Sequence, residues 1–173
     1  PVLSYAGWSR TDHRLTQADG SYLDTWIQGN GSNGVESYNA VTGERHGSGY
    51  WVPADGGASY TDDLTIFAGG SERKGTLTYT DGRSETSDVF SYDDGSSTTT
   101  DRVTQPNGSY HESWSRHDGR SGTTDYIYNP GATELVANTS YADGSSETTH
   151  VLSYAGWSRT DHRLTQADGS YLD

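Results

Sequence analysis

The sequence predicts an all-β fold: an antiparallel β-meander built from tandem strand-turn modules of about 12.4 residues. Three observations predict it. Glycine-centred turn signals recur at a near-constant step. The residues between them are rich in Thr, Ser, Tyr and Val, which suit a pleated, half-buried surface. No segment shows helical apolar periodicity or a helix stop signal.

The turn signals begin at Ala6-Gly7, Asp19-Gly20, Asn30-Gly31, Thr42-Gly43, Asp55-Gly56, Gly69-Gly70 and Asp81-Gly82. Asp94-Gly95, Asn107-Gly108, Asp118-Gly119, Pro130-Gly131, Asp143-Gly144, Ala155-Gly156 and Asp168-Gly169 continue the series. Asp-Gly and Asn-Gly are preferred at two-residue type I′ turns, which need positive φ at both central positions, so tight hairpins are expected throughout. Gln28 to Gly57 is glycine-rich and lacks long apolar alternation, so loops, bulges or a weak edge are expected there.

Three internal comparisons support a module of one strand and one turn. Val2–Asp24 recurs without change as Val151–Asp173, 149 positions later, which is 12 steps from Gly7 to Gly156. Leu15–Trp26 aligns with Val103–Trp114 at an offset of 88, and Tyr79–Thr86 with Tyr141–Thr148 at an offset of 62. These offsets approximate seven and five modules. Odd multiples point to single strand-turn units rather than two-strand coils. The expected shape is an extended sheet, a two-layer structure or a closed barrel of about twelve to fourteen strands. A β-solenoid is the alternative. Residues 1–173 read as one β-repeat segment: one 149-residue repeat plus a 23-residue overlap. The absence of Met at position 1 and the stop inside a strand pattern at Asp173 are expected of a window cut from a continuing array.

Composition sets bounds on function. Leu, Ile, Val and Phe make up 22 of 173 residues, so any core is thin and must draw on the 13 Tyr and 5 Trp. The net charge of −13 disfavours nucleic acid and anionic lipid as partners. No apolar run approaches the ~20 residues of a membrane helix, and no membrane insertion is expected. Without Cys there is no disulfide or thiolate site. The six His lack zinc-ligand spacing, and no nucleophile-elbow motif occurs, so no catalytic or metal-binding residue is assigned and no cofactor is expected. The paired carboxylates Asp62-Asp63 and Asp93-Asp94 adjoin turns, where Asp bonds its own backbone, and no specific calcium motif is present.

Tyr22, Asp24 and Trp26 share one strand face, as do Tyr110, Glu112 and Trp114. This Tyr-x-acid-x-Trp face is expected to pack inward, with its carboxylate near an edge or paired with Arg. Tyr22, Trp26, Tyr110 and Trp114 are also the candidate binding residues, because an aromatic face with planar polar neighbours is what carbohydrate recognition needs.

Tyr79-Thr-Asp-Gly-Arg, Tyr92-Asp-Asp-Gly-Ser and Tyr141-Ala-Asp-Gly-Ser resemble the tyrosine-aspartate (RHS-like) repeats of large secreted bacterial proteins. They also resemble the Asp-Gly-Ser-rich arrays of bacterial exoproteins and adhesins. Only Tyr92-Asp93 keeps Tyr beside Asp as the tyrosine-aspartate pattern does. The resemblance implies a β-strand repeat in an extracellular or cell-surface bacterial setting. Together these readings predict a structural, non-catalytic repeat of a fibre, adhesin stalk or exoprotein, with a carbohydrate-binding module as the alternative. Its partners would be neighbouring repeats and edge-to-edge copies, with carbohydrate in the alternative reading.

Overall fold

A computed structural model describes residues 2–5, 8–52 and 58–173, with side chains from residue 9 onward. The strands are β1 (Val2–Tyr5), β2 (Trp8–Thr16), β3 (Tyr22–Gln28), β4 (Asn33–Tyr38) and β5 (Arg45–Trp51). Next come β6 (Ala58–Phe67), β7 (Gly70–Tyr79), β8 (Ser84–Tyr92), β9 (Ser97–Thr104) and β10 (Tyr110–Ser115). The last are β11 (Ser121–Asn129), β12 (Ala132–Ser140), β13 (Ser146–Tyr154), β14 (Trp157–Thr165) and β15 (Tyr171–Leu172). They form one 15-stranded sheet in sequence order, every neighbouring pair antiparallel.

The sheet is a meander and does not close, since β1 pairs only with β2 and β15 only with β14. That removes the barrel, the two-layer structure and the solenoid. The repeated segment advances by twelve strands, from β2 to β14. The glycine-rich stretch holds two regular strands, β4 and β5, rather than a long irregular loop; its final part, residues 53–57, lies outside the described residues.

The turns differ from the type I′ expectation. At Gln17–Ser21, the Gly20 amide donates to the Gln17 carbonyl at 3.1 Å, and the Gln17 amide donates to the Ser21 carbonyl at 2.8 Å. This is a type I turn followed by a G1 bulge, a three-residue loop that needs positive φ at Gly alone. Among the described residues, no residue other than Gly has positive φ. The same bonding recurs at seven further turns, including Tyr79–Arg83 and Tyr141–Ser145. Asp keeps ordinary backbone geometry and works through its side chain: Asp19 Oδ1 accepts the Ser21 amide at 2.9 Å, and Asn30 Oδ1 accepts the Ser32 amide at 3.0 Å.

The Ser after Gly has a use of its own. Ser21 Oγ accepts the Ala40 amide at 3.0 Å, Ser32 Oγ accepts the Val52 amide at 2.8 Å, and Ser109 Oγ accepts the Tyr128 amide at 2.9 Å. Each bond ties a turn to backbone further along the same rim of the sheet, at a turn or a strand end.

A single layer has no interior. Among the described residues no hydrophobic side chain is buried; the buried residues are Ser21, Ser32, Gly49 and Gly75. The expectation that Tyr-x-acid-x-Trp packs inward therefore fails, because both faces meet solvent. Cohesion comes from the backbone ladders and from cross-strand side-chain pairs, each of which contributes about 0.2–1 kcal/mol.

Candidate aromatic platforms on both faces

Register assigns each side chain to a face. From Trp26 the cross-strand partners run Gly34, Gly49, Asp62, Gly75, Ser87, Asp101 and Ser113. Paired residues share a face and sequence neighbours do not, so Trp114 lies on the face opposite Trp26. The structure therefore separates the candidate residues: Tyr22 and Trp26 occupy one face, Tyr110 and Trp114 the other.

The cause is geometric. In a meander, successive turns lie at opposite ends of the strands while the chain advances in one direction. Superimposing one module on the next requires a half-turn about an axis in the sheet plane, and that rotation exchanges the faces. Modules an odd number of strands apart display the same residues on opposite faces; an even number restores the face. The seven-strand step from β3 to β10 is odd.

The two clusters match in detail. On the first face the Arg14 guanidinium donates to Asp24 at 2.5 Å and lies 4.2 Å from the Tyr22 ring centre. On the second, Arg102 donates to Glu112 at 2.5 Å and lies 4.3 Å from Tyr110. Tyr22 meets Tyr38 at 5.5 Å between ring centres, and Tyr110 meets Tyr126 at 5.3 Å. A methyl group on Gly34 would fall 2.5 Å from the Trp26 indole, and one on Gly122 would fall 2.7 Å from that of Trp114. Each indole thus leans over a bare glycine backbone. All four candidate rings are half-buried. The Arg-Tyr-acid set appears a third time as Arg163, Tyr171 and Asp173, twelve strands after the first and back on its face.

The carboxylate between the aromatics thus pairs with Arg in both clusters. Asp24 accepts from Arg14 through Oδ2, while its Oδ1 is buried without a hydrogen-bond partner. The hydrogen bond that Arg14 donates to Asp24 raises the Arg14 pKa. Tyr22 donates to Glu36, and that bond, followed by burial, raises the phenol pKa.

Two residues outside the recurring pattern extend the first platform. Trp51 lies 5.4 Å from Trp26 and Tyr60 lies 5.7 Å from Trp51, continuing the row across four strands. Gly49 and Gly75 sit beneath them. Neither ring belongs to a recurring motif; the signal that existed was glycine at alternate positions of β5. On the second face, Trp114 borders a shallow groove of about 520 Å³ with Arg116, Asp88, Glu72 and Tyr92.

Among the described residues, no cluster of three His, Asp or Glu is arranged to hold a metal ion. The closest His–carboxylate contacts are isolated pairs: His111 with Asp125 at 2.6 Å, and His150 with Glu134 and His162 with Glu147, both at 2.7 Å. No protein family, characterised protein or solved structure matches this chain.

Proposed function

We propose that this chain is a structural repeat of a secreted or cell-surface bacterial fibre, adhesin stalk or exoprotein, with no catalysis of its own. The observation that carries the reading is an open meander whose register, turns and faces repeat after twelve strands. Such a sheet extends by adding modules, each supported mainly by its neighbours. The resemblance to RHS-like and Asp-Gly-Ser-rich repeats supplies the extracellular bacterial setting. Chains carrying one, two and three 149-residue periods test it by small-angle scattering. Each period is expected to add about 58 Å along the hydrogen-bonding direction. A radius that grows as for a compact globule would sink the reading.

A second reading is favoured by one observation: Trp26 and Trp114 lean over glycine, half-exposed, beside paired Arg and carboxylate groups. Flat rings next to hydrogen-bonding groups suit carbohydrate, so the repeat also acts as a carbohydrate-binding module. Its test is loss of glycan-array binding on Trp26→Ala and Trp114→Ala with unchanged circular dichroism.

A further inference from the structure

We infer that each repeat binds carbohydrate on both faces at once and so cross-links neutral polysaccharide chains; this rests on the carbohydrate-binding reading above. Two matching platforms stand on opposite faces, seven strands or roughly 34 Å apart along the sheet. One is Tyr22 and Trp26 over Gly34; the other is Tyr110 and Trp114 over Gly122. A single ligand chain lying on one face cannot reach the second platform. Two chains can be held, one per face.

The ligand class follows from charge. Each platform carries its own ion pair, Arg14 with Asp24 and Arg102 with Glu112, both at 2.5 Å. The guanidinium groups are already neutralised and offer little attraction to an anion. The net charge of −13 further repels anionic polysaccharide and a second copy of this chain. What remains is aromatic surface for sugar C–H groups, with carboxylate and guanidinium edges that hydrogen-bond hydroxyls. A neutral, hydroxyl-rich polymer fits both platforms.

The test mixes the chain with beads of two colours coated with a soluble neutral polysaccharide. A β-glucan, an α-glucan and a galactomannan are tried in turn, with alginate as the anionic control. Wild-type protein is expected to bind at least one neutral polymer and to clump beads of both colours while remaining monomeric in sedimentation. Trp26→Ala and Trp114→Ala should each keep about half the binding capacity and lose clumping; the double variant should lose both. Trp26→Tyr and Trp114→Tyr, which keep a ring, should retain clumping. Binding without clumping by wild type overturns the two-sided inference and leaves the binding reading standing, a result that needs no variant. No binding to any neutral polymer overturns both. Clumping with alginate alone, or by a dimer, overturns the assignment.

Discussion

Trp26 leans over Gly34, whose missing side chain leaves the space that the indole fills; a methyl group there would fall 2.5 Å from the ring. Gly34→Ala is therefore expected to displace the indole and cost about 1 kcal/mol, the upper end of a cross-strand pair. In a Trp26→Ala background the same change should stabilise by about 0.5 kcal/mol, because Ala suits a strand better than Gly. A double-mutant cycle in urea reads the reversal of sign. Equal effects in the two backgrounds would show that ring and glycine are not coupled.

Ser32 is 1 % exposed, and its hydroxyl accepts the Val52 amide. Ser32→Ala should leave that N–H without a partner and cost about 1–3 kcal/mol. Ser96, whose hydroxyl donates to its own turn residue Asp94, is the control and should lose far less on replacement by Ala. Hydrogen exchange at Val52 should accelerate only in the first variant.

Turn carboxylates make the fold acid-sensitive. Bonds from the Ser hydroxyl and amide two residues on hold Asp94, Asp143 and Asp168 below the ordinary carboxylate range. For Asp19 the Ser21 amide contributes most, and for Asp118 the Arg120 side chain. A carboxyl whose pKa is lower in the folded chain stabilises it above the unfolded pKa and loses that effect as pH falls through the folded one. The melting temperature should be flat from neutrality to about pH 4 and fall below it. Replacing these five Asp by Asn, which already serves at Asn30 and Asn107, should flatten the acid limb.

Alkaline titration offers a separate readout. Hydrogen bonds to Glu85 and Glu147 raise the phenols of Tyr79 and Tyr141, and burial raises that of Tyr60. A phenol whose pKa is raised in the folded chain contributes stability below its unfolded pKa, lost as pH rises through the folded one. Phenolate absorbance from these three tyrosines, like that of Tyr22, should emerge above the ordinary tyrosine range of about pH 10. Glu147→Gln should return Tyr141 toward ordinary behaviour and leave Tyr79 unchanged.

Much of the architecture was legible in the chain. The near-constant spacing of Gly20, Gly31, Gly43 and their successors counted the strands, and offsets of 62, 88 and 149 resolve as five, seven and twelve strands. The turn type was not legible from dipeptides, because Asp-Gly serves both type I′ and G1-bulge hairpins. The distinction lies in whether Asp adopts positive φ or caps Ser21 through its side chain. For the platforms, the shared Tyr-x-acid-x-Trp pattern suggested a common side. The face of Trp114 depends instead on whether the strand count from Trp26 is odd or even. Trp51 and Tyr60 recur nowhere, so only the fold brings them beside Trp26.

Among the described residues no hydrophobic side chain is buried, and that sets how this architecture scales. A globular chain gains enclosed volume faster than surface as it lengthens, and must eventually divide into domains. Here every added strand covers and exposes the same share of itself as the one before it. Growth therefore carries a constant cost per residue, and no length is favoured by the ratio of inside to outside. Substitutions meet water rather than a void, so residues on either face can diversify while the ladder beneath them stays intact.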